Sequence, residues 1–311
     1  MLFNDISPLI QDDCFLTLKE WINGRDIILK IEGLSVSGSI KIKSALYMLE
    51  ELERRGVLKK GNKIIESSSG NLGIALSMIC AWKGYTFICV GDPNMSPAAA
   101  KIIAAYGGEL ITVTETDNQG GYLGTRISHI KEKINKDKNI IWVNQYENID
   151  NINAHYYMTG KSILQNVPHP DYVFIGAGTT GTLGGVSRYL KEHSPSTRII
   201  AVDTYGSVTF GGCSAKRRIP GLGTSCPPDI RKYSHFDELL YIDEASTIKT
   251  CHELSSRGLL LGGSTGTVLA AVRLMQNKIK PEETVVVISP DMGDKYLNTI
   301  YNPDWVNQYY Q

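Results

Sequence analysis

The feature that most constrains this chain is a regular alternation of two kinds of segment. From residue 40 onward, stretches with apolar residues at helical spacing alternate with short, almost unbroken apolar runs. The short runs are NKIIES, YTFICVGD, ELITVT, YVFIGAG, RIIAVD and TVVVISPD. The helical stretches begin with SALYMLEELERRG, which ends at Gly56, followed by NLGIALSMICAWKG, SPAAAKIIAAYGG and YLGTRISHIKEKINKD. NAHYYMTGKSILQN, TLGGVSRYLKEH, ASTIKTCHELSSRG and TGTVLAAVRLMQN complete the set. A strand that is apolar on both faces belongs in a parallel sheet, and parallel neighbours need a crossover helix. The pattern therefore predicts an α/β chain whose parallel sheets are covered by helices on both faces. Its 311 residues suffice for one or two closely packed domains.

Lysine plus arginine equal aspartate plus glutamate, at 32 each. That balance argues against a dedicated nucleic-acid binder or anionic-membrane binder. The six cysteines are scattered, without C-x-x-C or metal-ligand spacing, and Cys80 and Cys89 lie in apolar segments that read as buried. The first residues lack a basic region followed by a long apolar stretch, and no apolar run is long enough to cross a bilayer. The chain reads as cytoplasmic and reduced, with no metal.

Four separated stretches carry the candidate chemistry. Lys41 follows a Gly/Ser turn at a helix start, where an isolated lysine is ordinarily solvated. ESSSGNLG, Glu66 to Gly73, joins a strand to a helix and offers hydroxyls and N–H groups suited to a carboxylate. The same residues would serve equally well as a helix cap. GAGTTGT, from Gly176 to Thr182, contains a literal G-x-G-x-x-G, and Asp203 falls 22 positions beyond Gly181, near where a ribose-binding acid sits in a dinucleotide fold. Its threonines add hydroxyl donors that suit a single phosphate. GGSTG places Ser264 and Thr265 on a turn into an apolar helix, again compatible with a simple cap. TYGSVTFGGCSAKRRIPGLGTSCPPDI has no period, and such long irregular segments in compact α/β chains are usually functional.

Together Lys41, SSGNLG, GTTGT, GGSTG and SPDMGDKY, in that order, resemble the fold-type II pyridoxal-phosphate enzymes of the cysteine synthase and cystathionine β-synthase family. The resemblance spans nearly the whole chain and favours a phosphate over a dinucleotide in the GTTGT loop. It implies two parallel-sheet α/β domains with the cofactor in the cleft. Residues 35–148 would form the smaller domain, and residues 1–34 with 149–311 the larger. It implies that Lys41 holds pyridoxal phosphate covalently and moves the substrate's α-proton. Asn71 would bond the ring oxygen, Gly178, Thr179, Thr180, Gly181 and Thr182 would cradle the phosphate, and Ser264 would face the pyridine nitrogen. Ser68, Ser69 and Gly70 would grip the substrate carboxylate.

SSSGNLGIALSMI, GGYLGTRI, NQYEN, AVDTYGSVTFG, IPGLGTS and ISPDMGDKYL are similar to the branch of the family that joins O-phosphoserine to glutamate. That branch supplies 2,3-diaminopropionate for siderophores and peptide antibiotics, and the resemblance places Arg126 and Tyr146 beside the substrate. Lys216, Arg217 and Arg218 form a second basic set that suits a dianionic partner. The chain also departs from the family. Ile42-Lys43 follow Lys41 where Asp-Arg is usual, Ser35-Val36 replace Asn-Pro, and Gly178 opens the phosphate loop as in the sulfhydrylases. The alternatives are a cysteine synthase using sulfide, direct amination by ammonia, a silent cofactor- or amino-acid-binding protein, and a dinucleotide oxidoreductase. By analogy with the family the chain is expected to be a homodimer.

Overall fold

The computed structural model describes residues 5–117 and 120–310. A hairpin opens the fold, β1 (Phe15–Ile22) and β2 (Arg25–Ile31), followed by α1 (Lys41–Arg54), β3 (Lys63–Ser67) and α2 (Asn71–Lys83). Next come β4 (Thr86–Gly91), α3 (Pro97–Ala105), β5 (Glu109–Thr112), α4 (Leu123–Lys136) and β6 (Ile140–Trp142). The second half holds α5 (Asp150–Ala154), α6 (Lys161–Asn166), β7 (Tyr172–Gly176), α7 (Gly181–His193), β8 (Arg198–Thr204) and β9 (Glu238–Ile242). It closes with α8 (Glu244–Ser256), α9 (Gly263–Leu274), β10 (Val285–Ser289) and α10 (Pro303–Tyr310).

Two sheets result. One is four-stranded in the order β5-β4-β3-β6 and wholly parallel. The other is six-stranded in the order β1-β2-β10-β7-β8-β9 and parallel except for β1, which pairs antiparallel with β2. Both are covered on two faces, as the apolar runs predict. Ile64, Phe87 and Cys89 face α1, α2 and α3, whereas Ile65, Ile88 and Val90 face α4 through Ile130. In the larger sheet Phe174, Ile200 and Val287 pack on α9, and Val173, Ile175 and Ile199 on α7. Ile6 and Ile10, from the segment before β1, bury in the core around α1 and α2.

Two details differ from the sequence expectation. NAHYYMTGKSILQN is not one α-helix: a π-helical turn, His155–Gly160, separates α5 from α6. Such turns widen the hydrogen-bond step and recur at functional sites. The β1–β2 hairpin adds the antiparallel edge. Its two-residue loop is Asn23-Gly24, both at positive φ (47° and 73°), the geometry of the tight turns that suit strand twist.

Candidate active site

The candidate residues follow the C-terminal ends of strands, the edges that open α/β sheets use for ligands. Lys41 is the first residue of α1. Ser39 bridges antiparallel to Asp291, and the N–H of Ile40 donates to the carbonyl of Pro290 at 2.8 Å, which brings Lys41 against the segment after β10. Desolvation holds the Lys41 amine below the ordinary lysine value, and the nearby Asp291 carboxylate opposes that shift. An amine that sheds its proton easily is the form that attacks a carbonyl carbon.

Asp291 is fully buried. Its Oδ2 accepts from Asn71 Nδ2 and from the Tyr296 hydroxyl, each at 2.7 Å, while its Oδ1 has no hydrogen-bond partner. Burial raises its pKa against those two donors and Lys295. A Cβ on Gly262 would lie 1.9 Å from Asp291 Oδ1, so only glycine leaves room for this carboxyl beside the start of α9. Asn71 opens α2, and the amide the sequence singles out therefore stands beside Lys41's carboxylate neighbour.

The GTTGT loop ends β7 and starts α7. Thr180, at φ 68°, occupies the position before the helix, and its buried Oγ1 has no partner. Thr179 Oγ1 accepts from Asn151 Nδ2 at 3.2 Å, and Thr182 Oγ1 meets His155 Nε2 at 3.2 Å. A Cβ on Gly181 would sit 2.2 Å from Asn151 Oδ1, so the loop can run this close only with glycine. An unpaired hydroxyl, a helix N-terminus and a tight glycine turn together fit a phosphate. Gly221, at φ 114°, wedges the irregular segment between this loop and Ser264: a Cβ there would lie 2.4 Å from Ser264 Oγ, and its carbonyl oxygen would be 3.1 Å from a Cβ on Gly178. The structure thus gathers Lys41, Asn71, the Gly178–Thr182 loop and Ser264 around Asp291 and Gly221. Asp203, by contrast, is buried at the end of β8 near Arg217, with no face open to a ribose.

The SSSG loop is used partly as a cap. Ser68 Oγ accepts from the N–H groups of Gly70 and Gly73 at 3.2 and 2.9 Å, which turns its hydroxyl toward α2. Beneath the loop, Glu66 is completely buried and accepts from Ser67 N at 2.7 Å, Gln145 N at 3.1 Å and Trp142 Nε1 at 3.3 Å. Burial outweighs these donors and pushes its carboxyl up to about 7. Arg126 is buried in the same neighbourhood. One guanidinium nitrogen lies 3.3 Å from Asp92, Nε has no partner, and its charge is felt at Cys89 and Tyr146.

The other basic set does not converge. Arg217 turns inward to the carbonyl of Leu222 at 3.1 Å, Arg218 stacks over Tyr309 at 4.2 Å, and Lys216 is exposed. Glu244 holds this segment through the N–H groups of Arg218 and Ile219 at 2.8 and 2.6 Å, and accepts from the Tyr310 hydroxyl of α10 at 2.7 Å.

The departure at Ile42-Lys43 has a structural answer. Lys43 points into a buried charge cluster, with Nζ 2.6 Å from Glu32 Oε2 and bonded to Asp12. Lys30 completes the group at 3.0 Å from Asp12 and 3.3 Å from Glu32. Ile42 is buried in the α1–α2 core. Lys41 is therefore the lysine of this helix start that faces Asp291. Sequence reasoning assigned no role to Asp291, Lys295, Tyr296, Glu66, Asn151 or His155. The first three stood in the SPDMGDKY motif, and the signal was its place at the end of a buried strand.

No helix among the described residues is long and apolar enough to cross a membrane. Known structures share the whole architecture. O-ureido-L-serine synthase matches at 28% identity and TM-score 0.89, over 97% of this chain and 96% of its own. The O-acetylserine dependent cystathionine β-synthase of Helicobacter pylori matches at 26% identity and TM-score 0.90, over 97% and 100%. A hydrogen sulfide-producing enzyme of Fusobacterium nucleatum matches at 32% identity and TM-score 0.88, over 95% and 100%. The profile of the pyridoxal-phosphate dependent enzymes matches residues 15–291, and the chain belongs to that family, with its fold-type II architecture.

Proposed function

We propose that the chain catalyses β-replacement on O-phosphoserine with glutamate as the amino nucleophile, giving N-(2-amino-2-carboxyethyl)-glutamate. Bound in the cleft, pyridoxal phosphate supplies the electron sink for charge developing at the substrate's α-carbon. Gly178, Thr179, Thr180, Gly181 and Thr182 hold its phosphate, Asn71 and Ser264 meet its ring, and Lys41 binds it and carries the α-proton. Ser264 is a neutral partner for the pyridine nitrogen, which leaves the ring a weaker sink and favours loss of a β-substituent over transamination. Ser69, Gly70 and the first N–H groups of α2 receive the substrate carboxylate, with Ser68 shaping the turn from below.

The observation that carries the choice of glutamate is Arg126. It is a buried guanidinium paired on one side with Asp92, with an unpartnered Nε, and near Tyr146 and Cys89, whose thiol donates to the carbonyl of Ser68. Hydrosulfide requires no such donor, whereas a dicarboxylate or a departing phosphate does. A sulfide-using reading has its own support: the basic residues 216–218 do not converge, and the named neighbours include a hydrogen sulfide-producing enzyme. Incubation with O-phosphoserine or O-acetylserine and each of glutamate, sulfide and ammonia, read by mass spectrometry, decides between them. The condensed diamino diacid is expected from O-phosphoserine and glutamate. Ready formation of cysteine without that adduct overturns the proposal.

A further inference from the structure

Lys295 follows β10 on the six-stranded side, yet its ammonium ends on groups belonging to the segments that lead into α1 and α2. It donates to the carbonyl of Gly38 at 3.1 Å and to Asn71 Oδ1 at 2.8 Å. Gly38 lies three residues before Lys41, and Asn71 is the first residue of α2. We propose that Lys295 is a positioning residue whose single ammonium ties the Lys41 segment to the head of α2 and so sets the separation of Lys41 and Asn71 across the cleft.

An ammonium has three donors and no acceptor, so it can bond only to the oxygen of an amide. Asn71 is therefore held from both ends, with Oδ1 on Lys295 and Nδ2 on Asp291 at 2.7 Å. That pair fixes which end of the amide faces the carboxylate, a choice an isolated asparagine leaves open. Gly38 is suited to its part: it sits at φ 72°, and a Cβ there would approach Lys295 Nζ to 3.2 Å. Lys295 is half-buried, where charge-assisted bonds keep more strength than fully exposed pairs do. Burial lowers its pKa, and Asp291 and Asp294 oppose that shift. A second consequence falls on Asp291. With Asn71 and Tyr296 both donating to Oδ2, its unpartnered Oδ1 stays beside Gly262 instead of closing on the Lys41 amine.

The inference rests on the reading above in which Lys41 and Asn71 both face pyridoxal phosphate, and the test separates the two. Lys295→Met keeps the stem and deletes the donors, while Lys295→Arg keeps donors able to reach both oxygens. Three quantities are measured for each: affinity of the cofactor-free protein for pyridoxal phosphate, the bound cofactor's visible absorbance across pH, and urea stability without cofactor. Lys295→Met should weaken cofactor binding roughly ten-fold, of the order of one charge-assisted hydrogen bond, and shift the absorbance band. Lys295→Arg should restore most of both. Wild-type affinity and band in Lys295→Met overturn the proposal, as does a loss confined to cofactor-free stability. Asn71→Ala is the control. If it leaves affinity and band unchanged, Asn71 does not face the cofactor and the tie positions nothing there. If it perturbs both while Lys295→Met perturbs neither, the role of Lys295 alone falls.

Discussion

Replacing Lys43 with methionine should destabilise the folded protein by about 3 kcal/mol while leaving Lys41, the lysine proposed to hold the cofactor, in place. The magnitude follows from the charges gathered beneath α1. Lys30 and Lys43 supply two positive groups, and Asp12 and Glu32 two negative ones, so the buried set is neutral. Glu32 is wholly inaccessible, with Lys43 at 2.6 Å and Lys30 at 3.3 Å. Deleting one ammonium leaves an excess carboxylate in a largely buried site, which costs about 3–5 kcal/mol in comparable buried pairs. Asp12 retains 22% side-chain exposure and can still be hydrated, which places the expectation at the lower end. The double variant Lys43→Met with Glu32→Gln restores neutrality and should recover most of the loss. Urea unfolding of the cofactor-free proteins at neutral pH measures both. A single-variant loss below about 1 kcal/mol, or a double variant no more stable than the single, refutes the charge-balance argument.

Borohydride reduction and peptide mapping should find the cofactor on Lys41 and none on Lys43, whose amine is committed to Glu32 and Asp12. An adduct at Lys43 or Lys295 in Lys41→Ala would move the assignment. Ser264→Ala should keep cofactor affinity and lose about 1–2 kcal/mol of transition-state stabilisation, and unchanged kinetics would place the pyridine contact elsewhere. Glu66 titrates near 7 in the folded state against an ordinary 4.5, so its favourable contribution is complete below pH 4.5 and disappears as pH rises through about 7. Relative to Glu66→Gln, the wild type should lose up to roughly 3 kcal/mol of stability across that window, and parallel stability–pH curves would sink the assignment. Light scattering should report a homodimer; a monomer mass at micromolar concentration contradicts the family analogy.

The repeating helices and apolar strands were legible because each carries its own period, and α1, α2, α4, α7 and α9 lie close to where the apolar spacing puts them. Asn23-Gly24 forms a tight hairpin turn that the sequence reading, which starts its alternation at residue 40, did not pick out. The π-turn at His155–Gly160 was not legible, since its apolar positions also satisfy an α-helix. The site divides in the same way. Gly181 and Thr180 announce themselves through turn chemistry, and Lys41 through its place in an ordered set of motifs. Arg217 and Arg218 look identical in sequence to a binding pair, and only packing against Leu222 and Tyr309 turns them aside. Asp291 and Lys295 matter through partners more than 200 residues away in sequence, a separation that no local pattern encodes.

The order of strands in the larger sheet bears on how this chain is made. β10, spanning Val285–Ser289, leaves a ribosome after every other strand of the two sheets, yet it lies between β2 and β7. Val286 pairs with Ile28 on one side and with Val173 on the other. Until residue 289 emerges, β2 and β7 each keep an open edge of unpaired N–H and C=O groups, the template on which nascent chains stick to one another. The four-stranded sheet needs only residues 63–142 and can assemble while synthesis continues. Vectorial folding would thus finish one half early and hold the other open to the end. A message truncated before β10 would release a chain with one sheet complete and two sticky edges in the other.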